Sequence, residues 1–345
     1  MTLPYLTKSI APIEASFRST LEDFEVEEVP AYLPGGAGEH LFAFIEKRGV
    51  TTKDAVQALC ARVGVDLKDA GWAGLKDKHA VTRQWISLFG ATPEAVRAAS
   101  TPDVRVLEAA LHPHKLRTGH LRANRFKIRL RAIEATRFGD LHAVLDAIEA
   151  LGLPNYYGEQ RFGREGDNAR RALEWVLGAA RAPRAAFQRK LQMSALQSEL
   201  FNQLVSERVE TSTLGTVLPG DLVKKHESGG MFVADDLEEA QARADAWEIS
   251  PTGPIFGAKM RWPEGEARAR EEALLQRAGL TPAHFARWRQ IAPGTRRFVR
   301  IPVGKVGRNV RDDTIDLDFT LPAGSYATIL IREILKRDAP PPHTG

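Results

Sequence analysis

The run Lys76-Asp77-Lys78-His79 sets one carboxyl between two ammonium groups and beside an imidazole. Alone, such a run reads as a turn carrying a surface ion pair, which is worth little. Its surroundings admit a second reading, because residues 71–75 and 82–89 are apolar enough to form strands on either side. An aspartate flanked by lysines can stay ionised at low exposure, since nearby cations lower its pKa while desolvation raises it. A partly dehydrated carboxylate of that kind is a competent nucleophile.

The second chemical feature is basic. From His112 to Arg131 the chain reads HPHKLRTGHLRANRFKIRLR, twenty residues without one acid in a chain that has 44 of them. Over residues 124–131, Arg125, Lys127, Arg129 and Arg131 share one face at a period of two, and Phe126, Ile128 and Leu130 share the other. Cations in line on one strand face repel unless something offsets them. A phosphate backbone would do so, with strong salt dependence. Acids on a neighbouring strand, such as Glu25, Glu27 and Glu28, would serve equally well.

Other patterns are weak. His112, His114 and His120 lack a Cys or Glu at metal-ligand spacing, and the surrounding cations would repel a dication. Gly35, Gly36 and Gly38 have no following Lys-Ser/Thr, so they read as a turn and not a nucleotide loop. Cys60 is the only cysteine and lies in an apolar helical pattern, which suits burial.

The positioning elements follow from periodicity. Residues 23–29 alternate apolar and acidic side chains as a half-buried strand does, and residues 41–46 are expected as its antiparallel neighbour across the glycine-rich turn. Thr51 or Thr52 can cap a helix burying Ala55, Val56, Leu59, Cys60 and Val63. Phe138, Leu141, Val144, Leu145, Ile148 and Leu151 mark another helix. From Pro154 to about Arg300 the texture is mainly helical, with a β-like patch at 217–234 and a helix pair around Gly279. Alternation returns at 315–321, leading into a helix over 325–336, and the tail 339–345 is expected to be disordered. At 345 residues two domains are the default. An α+β body interrupted by a helical insertion fits this order.

Composition agrees with a soluble protein: 43% hydrophobic, 27% charged, net charge +4. No apolar run is long enough to cross a bilayer and no secretory signal is evident, so a cytoplasmic location is expected. Nothing resembles a coiled-coil seam, and a monomer is expected.

The run from Ala73 to Gln84, AGLKDKHAVTRQ, resembles the signature of the TruD family of tRNA pseudouridine synthases. Arg122-Ala123-Asn124-Arg125-Phe126, the run PNYYGEQRFG from Pro154, and LPAGSYAT from Leu321 are similar to further family segments, in the family's order. So are Leu21–Glu28, Gly38-Glu39-His40 and Ser198–Asn202, which extends the resemblance from about Arg18 to Glu333.

The resemblance implies a pseudouridine synthase catalytic domain around a mixed, largely antiparallel sheet, at 1–153 and 301–345. A TruD-specific insertion domain would occupy 154–300. It implies conversion of uridine to pseudouridine in tRNA, at position 13, with no cofactor and no metal. Asp77 would be the essential aspartate, attacking C1′ directly or deprotonating the ribose to give a glycal. The uridine would be flipped into a pocket where Phe126 stacks on the base, although core packing would put Phe126 on the same face. Tyr326 would be a second pocket residue. Arg18 would be the basic partner of Asp77, with Lys76 the nearer alternative; Asn124 would position the loop or the ribose, and Gln84 would support Asp77. Lys115, Arg117, Arg125, Lys127 and Arg129 would meet tRNA phosphates. Two other readings of the same residues are an RNA chaperone without chemistry and a metal-dependent nuclease, and no acidic ligand cluster supports the latter.

Overall fold

A computed structural model describes residues 2–163 and 165–337. The first strand, β1 (Ser16–Phe17), is followed by the alternating segment as β2 (Phe24–Pro30) and by β3 (His40–Arg48). Helix α1 (Thr52–Val63) starts where Thr51 accepts the amide of Asp54 and stops at Gly64, whose φ of 72° is left-handed. Strands β4 (Ala70–Trp72) and β5 (Val81–Phe89) bracket the loop that carries Asp77. Then come α2 (Pro93–Ala98), β6 (Val104–His112), β7 (Leu121–Arg131) and α3 (Phe138–Leu151).

The middle of the chain holds β8 (Leu153–Pro154), α4 (Asn168–Val176), α5 (Ala186–Glu210), β9 (Leu222–Lys225), β10 (Met231–Val233) and α6 (Leu237–Asp245). It continues with β11 (Ile249–Ile255), α7 (Gly265–Arg277), α8 (Pro282–Arg287), β12 (Thr295–Phe298) and β13 (Arg300–Ile301). The last elements are β14 (Gly307–Arg311), β15 (Thr314–Pro322) and α9 (Ala327–Leu335). The expected disordered tail at 339–345 lies outside the described residues.

The chain divides into two compact units, and the division falls within α3. One comprises Pro12–Leu145 with Val303–Ala327 and Arg337. Its main path is β14-β15-β7-β2-β5-β3-β6, with β1 added on β7 and β4 on β5. Every pairing is antiparallel except β2 with β5. The class is therefore α+β around a mixed sheet. One expectation fails: β3 is not the neighbour of β2, because β5 lies between them, parallel to one and antiparallel to the other. The glycine-rich segment is thus a loop passing over β5 and not a hairpin turn. Leu41, Ala43 and Ile45 of β3 pack against Val56, Leu59 and Cys60 of α1, forming the core beneath this part of the sheet.

Among the described residues, the other unit comprises 2–11, Asp146–Pro302 and Thr328–Lys336. It contains a sheet in the order β10-β9-β11-β12 and the short pair β13-β8. β9 and β10 fall in the patch expected to be β-like, whereas β11 and β12 lie in the stretch whose texture is mainly helical. Pro251 and Pro254 sit inside β11, and proline argues against a strand in sequence because it cannot donate to the ladder. Residues 2–11 and 328–336 cluster with the middle of the chain. These two segments hold each other: the Glu333 carboxylate accepts from the amides of Leu6 and Thr7, and Arg332 lies 3.9 Å from the ring centroid of Tyr5.

Candidate active site

Asp77 lies in the loop between β4 and β5. One carboxylate oxygen accepts the amide of His79 at 3.0 Å, and the other accepts a guanidinium N–H of Arg18 at 2.8 Å. The two side chains are only 18% and 9% exposed. Of the two basic partners expected, the structure pairs Asp77 with Arg18. Arg18 reaches it from the turn after β1 with a left-handed φ of 62°, a costly conformation for a residue with a Cβ. Its guanidinium sits 4.2 Å from the centroid of Phe24 and 5.1 Å from that of Phe17. Burial lowers the Arg18 pKa, and Asp77 pulls it back up. Even so, an arginine stays charged at any physiological pH.

Lys76 turns elsewhere. Its ammonium pairs at 2.7 Å with Glu28, in a bridge whose side chains are 5% and 0% exposed. Burial raises the Glu28 pKa and Lys76 opposes that rise. The other Glu28 oxygen accepts the amide of Trp85 on β5. This pair bolts the loop to β2 from a position that sequence proximity to Asp77 concealed.

The loop backbone has three further anchors. The Lys47 ammonium donates to the carbonyls of Asp77 at 2.6 Å and Val50 at 2.8 Å. The Thr52 hydroxyl accepts the amide of Lys76 and donates to the Gln84 carboxamide, whose nitrogen donates to the Gly74 carbonyl. Gln84 therefore ties the Asp77 loop to β5 from behind without touching Asp77's carboxylate. Burial drives the Lys47 ammonium down to about 8, with Asp77 opposing and Lys76 assisting. Lys47 and Thr52 were missed in sequence. A signal existed for Lys47, which shares the inward face of β3 with Leu41, Ala43 and Ile45, where a charge needs a reason.

Phe126 projects from β7 on the same face as Asn124. Its ring stacks on Phe319 at 5.5 Å and 23°, and tilts against Phe24 at 6.1 Å. A continuous series of contacts thus runs from Asp77 through Arg18 and Phe24 to Phe126. Asn124 is paired in register with Glu28 and Leu321, and its buried carboxamide oxygen has no hydrogen-bond partner among the described residues. A buried acceptor without a donor costs free energy unless a ligand supplies one. Tyr326 is half-buried at the residue before α9, just past the β15 strand that flanks Asn124.

Three cations of β7 bind acids. Arg125 forks onto Asp318, Arg129 onto Asp316 and Arg131 onto Asp23. Lys127 stands in register with Glu25 and Asp318. The offset for the aligned charges is therefore internal, and its main source is β15, not the glutamates of β2. These side chains leave the sheet on the face opposite Asn124 and Phe126. Lys115 donates to the Lys68 carbonyl, and Arg117 is exposed.

Among the described residues, no group of three or more His, Cys, Asp or Glu side chains could hold a metal ion. No helix among them is long and apolar enough to cross a membrane.

Comparison with known proteins gives a consistent result. The family model for TruD, tRNA pseudouridine synthase D, matches residues 1–180 and 179–334. A protein of Anaeromyxobacter dehalogenans named tRNA pseudouridine synthase D is 44% identical over 342 residues, covering 98% of this chain and 97% of that one. One of the same name from Thermus thermophilus is 43% identical over 338 residues, covering 97% and 93%. A crystal structure from Methanosarcina mazei described by that name superposes with a TM-score of 0.77 at 23% identity, over 98% of this chain and 99% of the other. That last likeness concerns the fold.

Proposed function

Since the chain belongs to the TruD family of tRNA pseudouridine synthases, we propose that it isomerises uridine in tRNA with Asp77 as nucleophile. The observation that supports this most is the Asp77–Arg18 ion pair, held at low exposure beside the Phe24–Phe126–Phe319 aromatic series. A carboxylate with one hydrogen bond on each oxygen keeps lone pairs free, and its orientation is fixed before substrate arrives.

In this reading the uridine leaves its stack and its base enters beside Phe126. A carboxylate oxygen of Asp77 bonds to C1′ while the C1′–N1 bond breaks and its electron pair stays on the uracil. The base turns, C5 bonds to C1′, and the C1′–O bond to Asp77 breaks, restoring the carboxylate. The proton on C5 is lost to solvent and N1 takes up a proton, which completes the isomerisation. Asn124 offers its unpartnered carboxamide oxygen to a donor on the ribose or the base. Arg18 orients the Asp77 carboxylate through its ion pair, and Lys47, Thr52, Gln84 and the Lys76–Glu28 pair keep its loop in place. Lys115 and Arg117 meet phosphates, whereas Arg125 and Arg129 would first have to exchange an aspartate for one.

Incubation with tRNA tritiated at uridine C5 should release tritium to solvent. Absence of release from any cellular tRNA would leave only an RNA-binding scaffold. A primary isotope effect with 2′-deuterated uridine would replace direct attack by the glycal route.

A further inference from the structure

A cavity of about 730 Å³ lies over the loop that follows β6, and Asp77 is not among its lining residues. Its lining includes Tyr32, Leu33, His112, Lys115, Arg117 and His120, and no acid. Two close backbone approaches shape it. A Cβ on Gly38 would come within 2.5 Å of the His112 and Pro113 backbone, and one on Gly71 within 2.2 Å of the Leu116 carbonyl. Only glycine lets these segments meet.

The cavity wall is prepared for a flat ring. Tyr32 stacks on His112 with centroids 5.2 Å apart and planes at 20°, and the Tyr32 hydroxyl bonds to the His120 ring at 2.7 Å. Phe42 supports His112 from below at 4.5 Å. The amide of Gly35 donates to His112 Nδ1, which requires that nitrogen to be unprotonated. Burial first, then the neighbouring His114 and His40, lowers the His112 pKa in the same direction. A neutral, braced π-surface therefore faces solvent, with Tyr32 37% and Leu33 67% exposed. Lys115 and Arg117 stand at its side.

We infer that this cavity is a subsite for an unpaired nucleotide of the RNA strand that carries the target uridine. The base lies on the Tyr32–His112 pair and the phosphate meets Arg117 and Lys115. A neutral aromatic platform beside cations is the arrangement that single-stranded RNA requires, since stacking accepts any base and the cations neutralise its backbone. The subsite adjoins the nucleophile loop. The amide of Gly119 donates to the Ala73 carbonyl at 2.8 Å, Leu116 packs with Ala73 and Trp85, and Asp77 follows four residues after Ala73. Holding a neighbouring nucleotide here would keep the target strand extended while its uridine is flipped out.

This inference rests on the proposed activity, and its test separates the two. Binding of tRNA is measured by fluorescence anisotropy in an Asp77→Asn background, and turnover by tritium release in the wild-type background. Tyr32→Ala should weaken binding and raise KM roughly five- to a hundredfold, the range for one lost base–aromatic stack, with kcat at saturation within about twofold. Tyr32→Phe should restore binding because it keeps the ring. Arg117→Ala should weaken binding and reduce the slope of log K against log salt by about 0.7. Should Tyr32→Ala lose its fold, Leu33→Glu at the exposed rim gives the same readout. Binding unchanged within twofold in the folded Tyr32 or Leu33 variant and in Arg117→Ala overturns the subsite. Wild-type protein that binds tRNA through Tyr32 yet releases no tritium overturns the activity and leaves the subsite standing.

Discussion

Lys47→Met gives the sharpest test of how the nucleophile loop is held. The wild-type ammonium is fully buried and donates to the carbonyls of Asp77 and Val50. Hydrogen bonds from a charged donor contribute on the order of 1.5–3 kcal/mol each, so removing both costs about 3–6 kcal/mol. Against this stands the burial of the charge. A pKa lowered from 10.5 to about 8 corresponds to about 3 kcal/mol of penalty on the protonated form at neutral pH, at 1.36 kcal/mol per unit. The two effects largely offset, and Met fills a similar volume. Near pH 7 the variant should lose no more than about 3 kcal/mol of stability while kcat falls roughly ten- to a hundredfold, because the Asp77 backbone is released. The pH dependence separates this from a generic packing defect. Between about pH 8 and 10.5 the folded wild type binds fewer protons at this site than the unfolded chain, so its stability rises with pH. The variant lacks the group and lacks the gain. Urea unfolding of both proteins at several pH values, with tritium-release kinetics at pH 7.5, reads all three quantities. A stability difference flat across pH 7.5–10.5, or an unchanged kcat, refutes the reasoning.

Arg18→Ala strips Asp77 of its cation at low exposure, which should cost about 3 kcal/mol by thermal or urea unfolding and abolish most turnover. Arg18→Lys should recover part of the turnover, since it keeps the charge but loses the planar fork. Glu28→Gln strands the buried Lys76 ammonium and should destabilise by about 3 kcal/mol or more. The Lys76→Met, Glu28→Gln double variant should recover stability relative to the single one, and a double-mutant cycle of urea midpoints reads the coupling.

Much of this site was legible in sequence because it lies on local pattern. Asp77 between two strands, Phe126 on the apolar face of β7, and α1 with a cap at Thr51 or Thr52 follow from periodicity and turn chemistry, whereas the roles of Asp77, Phe126 and Asn124 were implied by the family resemblance. What sequence withheld depends on topology. Local pattern gave no reason to pair Arg18 with Asp77, 59 residues away, and a left-handed Arg18 has no signature; only the family resemblance named it. The acids that satisfy Arg125 and Arg129 arrive on β15, 193 and 187 residues later, so no local reading could weigh them against RNA. Glu28 was named for the basic strand, yet it bonds Lys76. The placement of β5 between β2 and β3 likewise depends on a parallel pairing that a glycine-rich turn between two alternating segments disguises.

The central claim is that the carboxylate of Asp77 does the chemistry and that the surrounding residues serve it. Asp77→Asn removes the charge and keeps the size, so the His79 amide still has an acceptor. Assayed on C5-tritiated tRNA, this variant should release no tritium above background while binding tRNA as the wild type does. Release at the wild-type rate would contradict the account.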